Sequence, residues 1–149
     1  MKRLSAKDID FVRRIMTDES VYPFIIDDGS PPPDEFPVEL FLGNEKVFVL
    51  SPNDGSVFLF VPIRHRVYEV HTCVLPGYRG LTAIQSGKAV VYWMFANTDA
   101  SKIFSIIPEN NRAARMFALR CGFRKEGEQC KAWSHQGKMI NTIIVGIER

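Results

Sequence analysis

The strongest constraint on the fold is the alternation of strand and helix patterns in the second half of the chain. Residues 81–97 carry apolar side chains at helical spacing, and an almost wholly apolar segment follows at 103–107. A short segment without polar alternation is typical of a strand that is covered on both faces. A second helical pattern then begins after a cap at Asn110 or Asn111 and ends at Gly122. This order predicts a small α/β (α+β) protein with helices flanking a mixed central sheet.

The first half of the chain predicts one amphipathic helix and an antiparallel meander. Ser5 and Asp8 have the spacing of a capping box, and apolar residues recur at helical spacing over 6–17. The proline-rich segment 27–37 has no regular element because proline fixes φ and removes a backbone donor, so we expect a mobile loop there. After a short helix near 38–42, closely spaced strand patterns lie at 47–50, 57–63 and 66–75.

The end of the chain predicts a closing hairpin. Strand patterns lie at 123–126, 130–135 and 139–147, and Gln136-Gly137 has the composition of a hairpin turn. No internal repeat interrupts the pattern, and 149 residues suffice to bury a core without disulfides or metals. We therefore expect one domain over 1–149.

Composition and charge argue against several functional classes. The formal net charge of +2 is too small to favour nucleic acid as a partner, and the lysines and arginines are scattered. The first residues form no apolar leader and no later run is long enough to span a bilayer, so we expect no membrane partner. Three cysteines without C-x-x-C spacing and three separated histidines predict a reduced, cytoplasmic chain with no metal site.

The turn between Leu75 and the helix pattern at 81–97 is a candidate anion site. Backbone N–H groups at a helix start have no intrahelical acceptor, and the helix dipole is positive there, so such a turn suits a diphosphate. Arg79 adds a positive charge, and Gly80 lets the backbone approach a ligand closely. The order of elements therefore fits a protein that binds a phosphorylated carrier.

Two local sequences resemble the GNAT superfamily of N-acetyltransferases. Residues 74–80 (Val-Leu-Pro-Gly-Tyr-Arg-Gly) resemble its strand end and pyrophosphate loop, and 111–114 (Asn-Arg-Ala-Ala) with Gly122-Phe123 resembles its second motif. The order of elements over 45–149 is similar as well, and 68–74 resembles small phage-encoded members. The resemblance implies a GNAT acyl-CoA N-acyltransferase fold. It also implies acetyl-CoA as co-substrate and an amine of a protein, peptide or small molecule as acceptor.

The resemblance further implies which groups contact each substrate. The acceptor would be selected by the first 45 residues and by the final hairpin. A main-chain N–H near Val74 or Leu75 would hold the oxyanion, and Asn111 would either contact the pantetheine arm or only cap its helix. The implied coenzyme-binding residues are Val74, Leu75, Arg79, Gly80, Leu81, Thr82, Ala83, Asn111 and Arg115. A basic group either meets the nucleotide's 3′-phosphate or forms a solvated helix face, and it comprises Arg112, Arg115, Arg120, Arg124 and Lys125.

The resemblance makes Glu69 the first candidate for the general base, since some members of the GNAT superfamily use a Glu on the strand before the loop. His71 is the second candidate catalytic residue because it lies two residues on, on the same face of that strand. Glu69 would deprotonate the amine directly or through water, and His71 would relay the proton near neutral pH. The competing interpretations are a solvated Glu69 paired with Arg64 or Arg66, and a purely structural His71.

Three positions depart from the family pattern and support a second hypothesis. The small-residue positions of the loop are occupied by Thr82 and Ile84, and Ala118 stands where many members have a proton-donating Tyr. Tyr78 and Tyr92 are the remaining candidates for that donor, although packing or surface roles also explain them. The alternative is a catalytically inactive GNAT-fold module that binds a partner or senses coenzyme A. An exposed strand edge would allow a homodimer.

Overall fold

The computed structural model describes residues 1–149, and every strand lies in a single mixed sheet. The strands are β1 (Lys2–Arg3), β2 (Phe48–Ser51), β3 (Ser56–Arg64), β4 (Val67–Val74), β5 (Lys102–Pro108), β6 (Arg124–His135) and β7 (Lys138–Glu148). The helices are α1 (Ile9–Met16), α2 (Glu39–Leu42), α3 (Leu81–Asn97) and α4 (Arg112–Arg120). Neighbouring strands follow the order β1-β2-β3-β4-β5-β7-β6. None of the helices has both the length and the apolar character needed to cross a membrane.

The hydrophobic core has two layers, one on each face of the sheet. Phe58 and Phe60 of β3 pack with Met94 of α3 on one face, which α4 also covers. Val57 and Leu59 pack on the opposite face, where α1 lies. Since successive strand residues point to opposite faces, a strand segment covered on both sides is apolar at every position, as β3 is from Val57 to Val61.

Local signals place the helix ends where the sequence predicts them. The Ser5 N–H donates to Asp8 Oδ2 at 2.9 Å, which completes the capping box before α1. Asn111 is the cap of α4, because its Oδ1 accepts a hydrogen bond from the Ala114 N–H at 3.0 Å. Gly122 follows α4 with φ of 101°, a left-handed conformation that favours glycine.

The end of the chain differs from the prediction of two separate strands before the hairpin. Residues 124–135 form one strand, β6, whose pairing with β7 shifts register at Gly127 and again between Gln129 and Trp133. In the second irregularity Lys131 has φ of 50°, and its N–H donates to Asn141 Oδ1 at 2.9 Å. The β6 edge is mostly exposed, so its sequence carries no burial alternation from which continuity is readable.

The proline-rich loop, expected to be mobile, is tied to the final hairpin. Both oxygens of the Asp28 carboxylate accept hydrogen bonds, from the Gln136 N–H at 2.8 Å and the Gly137 N–H at 2.9 Å. The Tyr22 hydroxyl donates to the Pro31 carbonyl within the same region. The Asp28 contacts hold the proline-rich loop against the β6–β7 turn.

The central strands β4 and β5 pair only at their beginnings. Their parallel ladder covers Val67–Glu69 and Lys102–Phe104, although β4 continues to Val74 and β5 to Pro108. β4 stays paired with β3 along its length, and β5 stays paired with β7. The sheet therefore opens between β4 and β5 beyond Glu69.

Candidate active site

A cavity of about 680 Å³ crosses the sheet through the gap between β4 and β5. We call its part on the α3–α4 face the helix-side lobe and its part on the α1 face the loop-side lobe. The helix-side lobe is lined by residues that include Val74, Gly80, Ala83, Ile84, Asn111 and Arg120. The loop-side lobe is lined by residues that include Phe24, Ile25, Glu69, His71, Gln129 and Trp133.

The first turn of α3 presents free backbone donors beside the helix-side lobe. The N–H groups of Leu81, Thr82 and Ala83 have no protein acceptor, and no side chain caps the helix. Gly80 precedes them with φ of 72° and ψ of −134°, and a Cβ built on it would meet nothing within 4 Å. Open space in front of unpaired N–H groups at the positive end of a 17-residue helix suits an anionic group.

The end of β4 supplies a further free backbone donor. Of the two N–H groups that the sequence predicts as holding the oxyanion, those of Val74 and Leu75, only that of Val74 is free. The Leu75 N–H donates to the Gly55 carbonyl at 2.9 Å, so it is not available for an oxyanion. Backbone groups alternate along an antiparallel ladder, so the N–H of Val74 points away from β3 into the gap. Arg79 Nε donates to the Val74 carbonyl at 3.1 Å, which agrees with that direction.

Charge is distributed unevenly over the cavity wall. Arg79 and Arg120 line it, and the single carboxylate in the lining is Glu69, on the opposite face. Arg79 also donates through Nη2 to the Ser20 carbonyl at 2.7 Å, so two backbone carbonyls hold its guanidinium. Arg115 lies on α4 but outside the cavity lining, and Arg120 is the member of the basic group that reaches the wall.

Glu69 and His71 lie side by side in the loop-side lobe, as their spacing on one strand face predicts. His71 Nε2 is 3.8 Å from Glu69 Oε1, and the side chains are 46% and 17% exposed. The competing pairing of Glu69 with Arg64 or Arg66 does not form, because neither arginine is within salt-bridge distance of it. Burial within the cavity lowers the pKa of His71 below 6.5, and the Glu69 carboxylate opposes that shift. His71 is therefore neutral at pH 7 and able to accept a proton.

The cysteines take no part in this site. Burial raises the pKa of the Cys73 thiol to about 12 and that of the Cys121 thiol to about 11, so both stay protonated at neutral pH. Cys130 is exposed on β6. No group of three or more His, Cys, Asp or Glu side chains is arranged to hold a metal ion.

A family model described as "Protein of unknown function (DUF2824)" matches residues 4–149. The chain belongs to this family. No curated protein matches the sequence.

Solved structures of acetyltransferases share the fold of this DUF2824 chain. One is spermidine N-acetyltransferase from Vibrio cholerae in complex with CoA and spermine, with a TM-score of 0.80 and 17% identity over 99% of this chain and 93% of that chain. A GNAT-family acetyltransferase from Bacillus anthracis has a TM-score of 0.76 and 19% identity, with coverage of 99% and 92%. Ribosomal-protein-S5-alanine acetyltransferase from Vibrio fischeri has a TM-score of 0.75 and 14% identity, with coverage of 99% and 91%. These likenesses confirm the predicted GNAT fold.

No tyrosine hydroxyl lines the cavity of this DUF2824 chain. Ala118 is buried at the position where many GNAT N-acetyltransferases have a Tyr. The Tyr78 ring packs against Gly55, where an added Cβ would overlap it. Tyr92 is 76% exposed on the outer side of α3. Tyr78 and Tyr92 thus have the packing and surface roles that were the alternatives to proton donation.

The two departures in the loop do not close the cavity. Thr82 and Ile84 both have negative φ, so neither strains the backbone. The Thr82 side chain is exposed, and the Ile84 side chain packs against the core beneath α3. The free N–H groups therefore remain open to a ligand despite the larger side chains.

Phe24, Ile25, Gln129 and Trp133 are among the lining residues that were not singled out from the sequence. Gln129 is oriented by the Thr142 hydroxyl, which donates to its Oε1 at 3.1 Å. Trp133 pairs with Ile140, two residues before the partner of Gln129 on β7, so its ring lies on the same face of the sheet as Gln129. The sequence carries one signal for these four residues. They lie in the first 45 residues and in the final hairpin, the two regions expected to select the acceptor.

Proposed function

We propose that this chain is an N-acetyltransferase that transfers the acetyl group of acetyl-CoA to a primary amine. The observation that carries the proposal is the cavity through the sheet. Unpaired N–H groups and two arginines lie at one side of it, and Glu69 with His71 lies at the other. Two substrates entering from opposite faces would meet in the gap between β4 and β5.

The helix-side lobe fits a coenzyme A thioester. The N–H groups of 81–83 would hold the diphosphate, and Arg79 and Arg120 would balance its charge. No carboxylate on this face would repel the phosphates. The unpaired edge of β4, including the Val74 N–H, would bind the amide groups of the pantetheine arm in the manner of an added strand. A volume of about 680 Å³ lies within the usual range of ligand sites.

The loop-side lobe supplies the proton acceptor that amine attack needs. Glu69, through His71 or a water molecule, would take a proton from the ammonium form of the acceptor. The amine nitrogen would then attack the thioester carbonyl carbon, forming a C–N bond, and the C–S bond would break. The Val74 N–H would stabilise the negative charge that develops on the carbonyl oxygen.

The leaving group does not require a tyrosine. Simple thiols have pKa values of about 8.5, so a thiolate can leave without a proton and take one from solvent. The second proton lost by the amine would pass to Glu69 or His71 and then to water. Ala118 is therefore compatible with turnover.

Calorimetry and product detection test this proposal. We expect heat on titration with acetyl-CoA and an acetylated amine detected by mass spectrometry. Glu69→Gln should lower kcat/KM by roughly 10²-fold or more and leave acetyl-CoA affinity unchanged. Glu45→Gln is the matched control, since Glu45 is an exposed turn residue away from the cavity. Absence of heat at millimolar acetyl-CoA would remove the coenzyme from the account.

A second candidate function is a coenzyme A-binding module without turnover. The observation that favours it is the lack of a tyrosine hydroxyl in the cavity. Such a protein would give the same heat with acetyl-CoA as the enzyme. It would release no CoA in the presence of amines, and Glu69→Gln would change nothing.

A further inference from the structure

The loop-side lobe has apolar walls. Val21, Phe24 and Ile25 line it from the loop after α1 and Trp133 lines it from β6, and the side-chain amide of Gln129 is a polar group of the same lining. Phe24 is 60% exposed, so its ring lies at the mouth of the lobe rather than in the core. An aromatic and aliphatic wall of this kind binds an apolar body by removing it from water.

The same lobe has one ionic partner for a cation. Glu69 is the only carboxylate in the cavity lining, and its neighbour His71 is neutral at pH 7. The other charged side chains of the cavity lining are Arg79 and Arg120, and Arg79 Nη2 donates to the carbonyl of Ser20, another lining residue, at 2.7 Å. One ammonium group would be neutralised by Glu69. A second would meet apolar walls and a positive charge, which is unfavourable because an unpaired charge loses its hydration on entry.

We propose that the acceptor is a primary amine attached close to an apolar or aromatic group and lacking a second cationic group. This inference rests on the proposed acetyl transfer and adds the chemical class of the acceptor. Two sources carry this chemistry: a free arylalkylamine, and the amino terminus of a polypeptide whose first side chain is apolar. Polyamines fall outside the class.

A panel of acceptors with acetyl-CoA tests the class by turnover. The probes are phenethylamine, a tetrapeptide with a free amino-terminal Phe, and spermidine. We expect phenethylamine or the tetrapeptide to exceed spermidine in kcat/KM by about tenfold or more, the effect of leaving a polar group unpaired in apolar surroundings. Whichever of phenethylamine and the tetrapeptide has the higher kcat/KM shows whether the acceptor is a free arylalkylamine or the amino terminus of a polypeptide. Trp133→Glu, which adds a second carboxylate to the wall, should shift the ratio toward spermidine by about tenfold.

Fluorescence tests the same lobe without turnover. Phenethylamine or the tetrapeptide, whichever is the better substrate, should change the emission of the wild type and of Trp93→Phe but not that of Trp133→Phe. Trp93 is the matched control because its ring packs against Phe48, 6.2 Å between centroids, away from the cavity.

The two readouts separate the inference from the proposed function. Turnover with spermidine equal to or faster than both other probes would overturn the inference and leave acetyl transfer in place. Binding of phenethylamine at Trp133 without turnover of any probe would overturn acetyl transfer and support the character of the lobe. No change of Trp133 emission with either phenethylamine or the tetrapeptide at millimolar concentration would overturn the inference.

Discussion

Gly80 sets the direction of the free N–H groups, and replacing it tests that role. Its φ of 72° with ψ of −134° lies in a region that residues with a Cβ rarely adopt. Since an added Cβ would meet nothing within 4 Å, the cost of Gly80→Ala comes from the backbone alone. That cost is about 1–3 kcal/mol, or a fall in Tm of roughly 2–12 °C for a chain of this size. Relaxation of the strain would turn the N–H groups of 81–83 and weaken acetyl-CoA binding by about tenfold, the loss of one charge-assisted hydrogen bond.

Gly77→Ala is the matched control for this experiment. Gly77 lies three residues earlier in the same turn, has equally open space around its Cα, and does not have a positive φ. We expect Gly77→Ala to be neutral or to stabilise the chain by up to about 1 kcal/mol, because alanine restricts the unfolded state. Urea unfolding gives the stability of each variant and calorimetry gives its affinity for acetyl-CoA. Equal stability and equal affinity for Gly80→Ala and Gly77→Ala would refute the role assigned to Gly80.

Three further outcomes follow from the contacts. Asp28→Ala removes the acceptor of two hairpin N–H groups, so it should lower the urea midpoint of unfolding. It should also raise KM for the amine several-fold and leave the affinity for acetyl-CoA unchanged. Asp34→Ala, the control at an exposed carboxylate, should change neither the midpoint nor KM. The pKa of His71 is lower in the folded chain than in the unfolded chain, so as the pH falls the unfolded chain binds a proton at His71 first. The stability that neutral His71 gives to the folded chain is therefore present above pH 6.5 and is lost below it. The loss of stability between pH 7.5 and 5.5 should be smaller in His71→Asn than in the wild type or His65→Asn, and equal losses would contradict this. In the native chain at pH 8, only Cys130 should react with a thiol reagent, because Cys73 and Cys121 are buried. In urea all three cysteines should react.

The helices were predictable because their signals are local. α3 spans the predicted 81–97, since Gly80 breaks the chain before it and the apolar spacing continues to its end. The capping box at Ser5 and the cap at Asn111 likewise depend on residues only three positions away. β1 was missed because two paired residues leave no pattern, and β6 was divided because an exposed edge has none.

The candidate site was predictable where one strand carries it. Alternation along β4 placed Glu69 and His71 on one face, and the structure brings their side chains to 3.8 Å. Phe24 and Trp133 meet at the same lobe from positions more than a hundred residues apart in sequence, through a loop that Asp28 fixes to the hairpin. Such contacts depend on the whole topology, and no local pattern encodes them.

The most direct test of the account is the backbone itself at the start of α3. Nitrogen-15 spectra recorded during titration with acetyl-CoA should show their largest amide shifts at Leu81, Thr82 and Ala83, with a smaller shift at Val74. Shifts confined to other parts of the chain, or none at millimolar acetyl-CoA, would contradict the claim that these N–H groups hold the diphosphate.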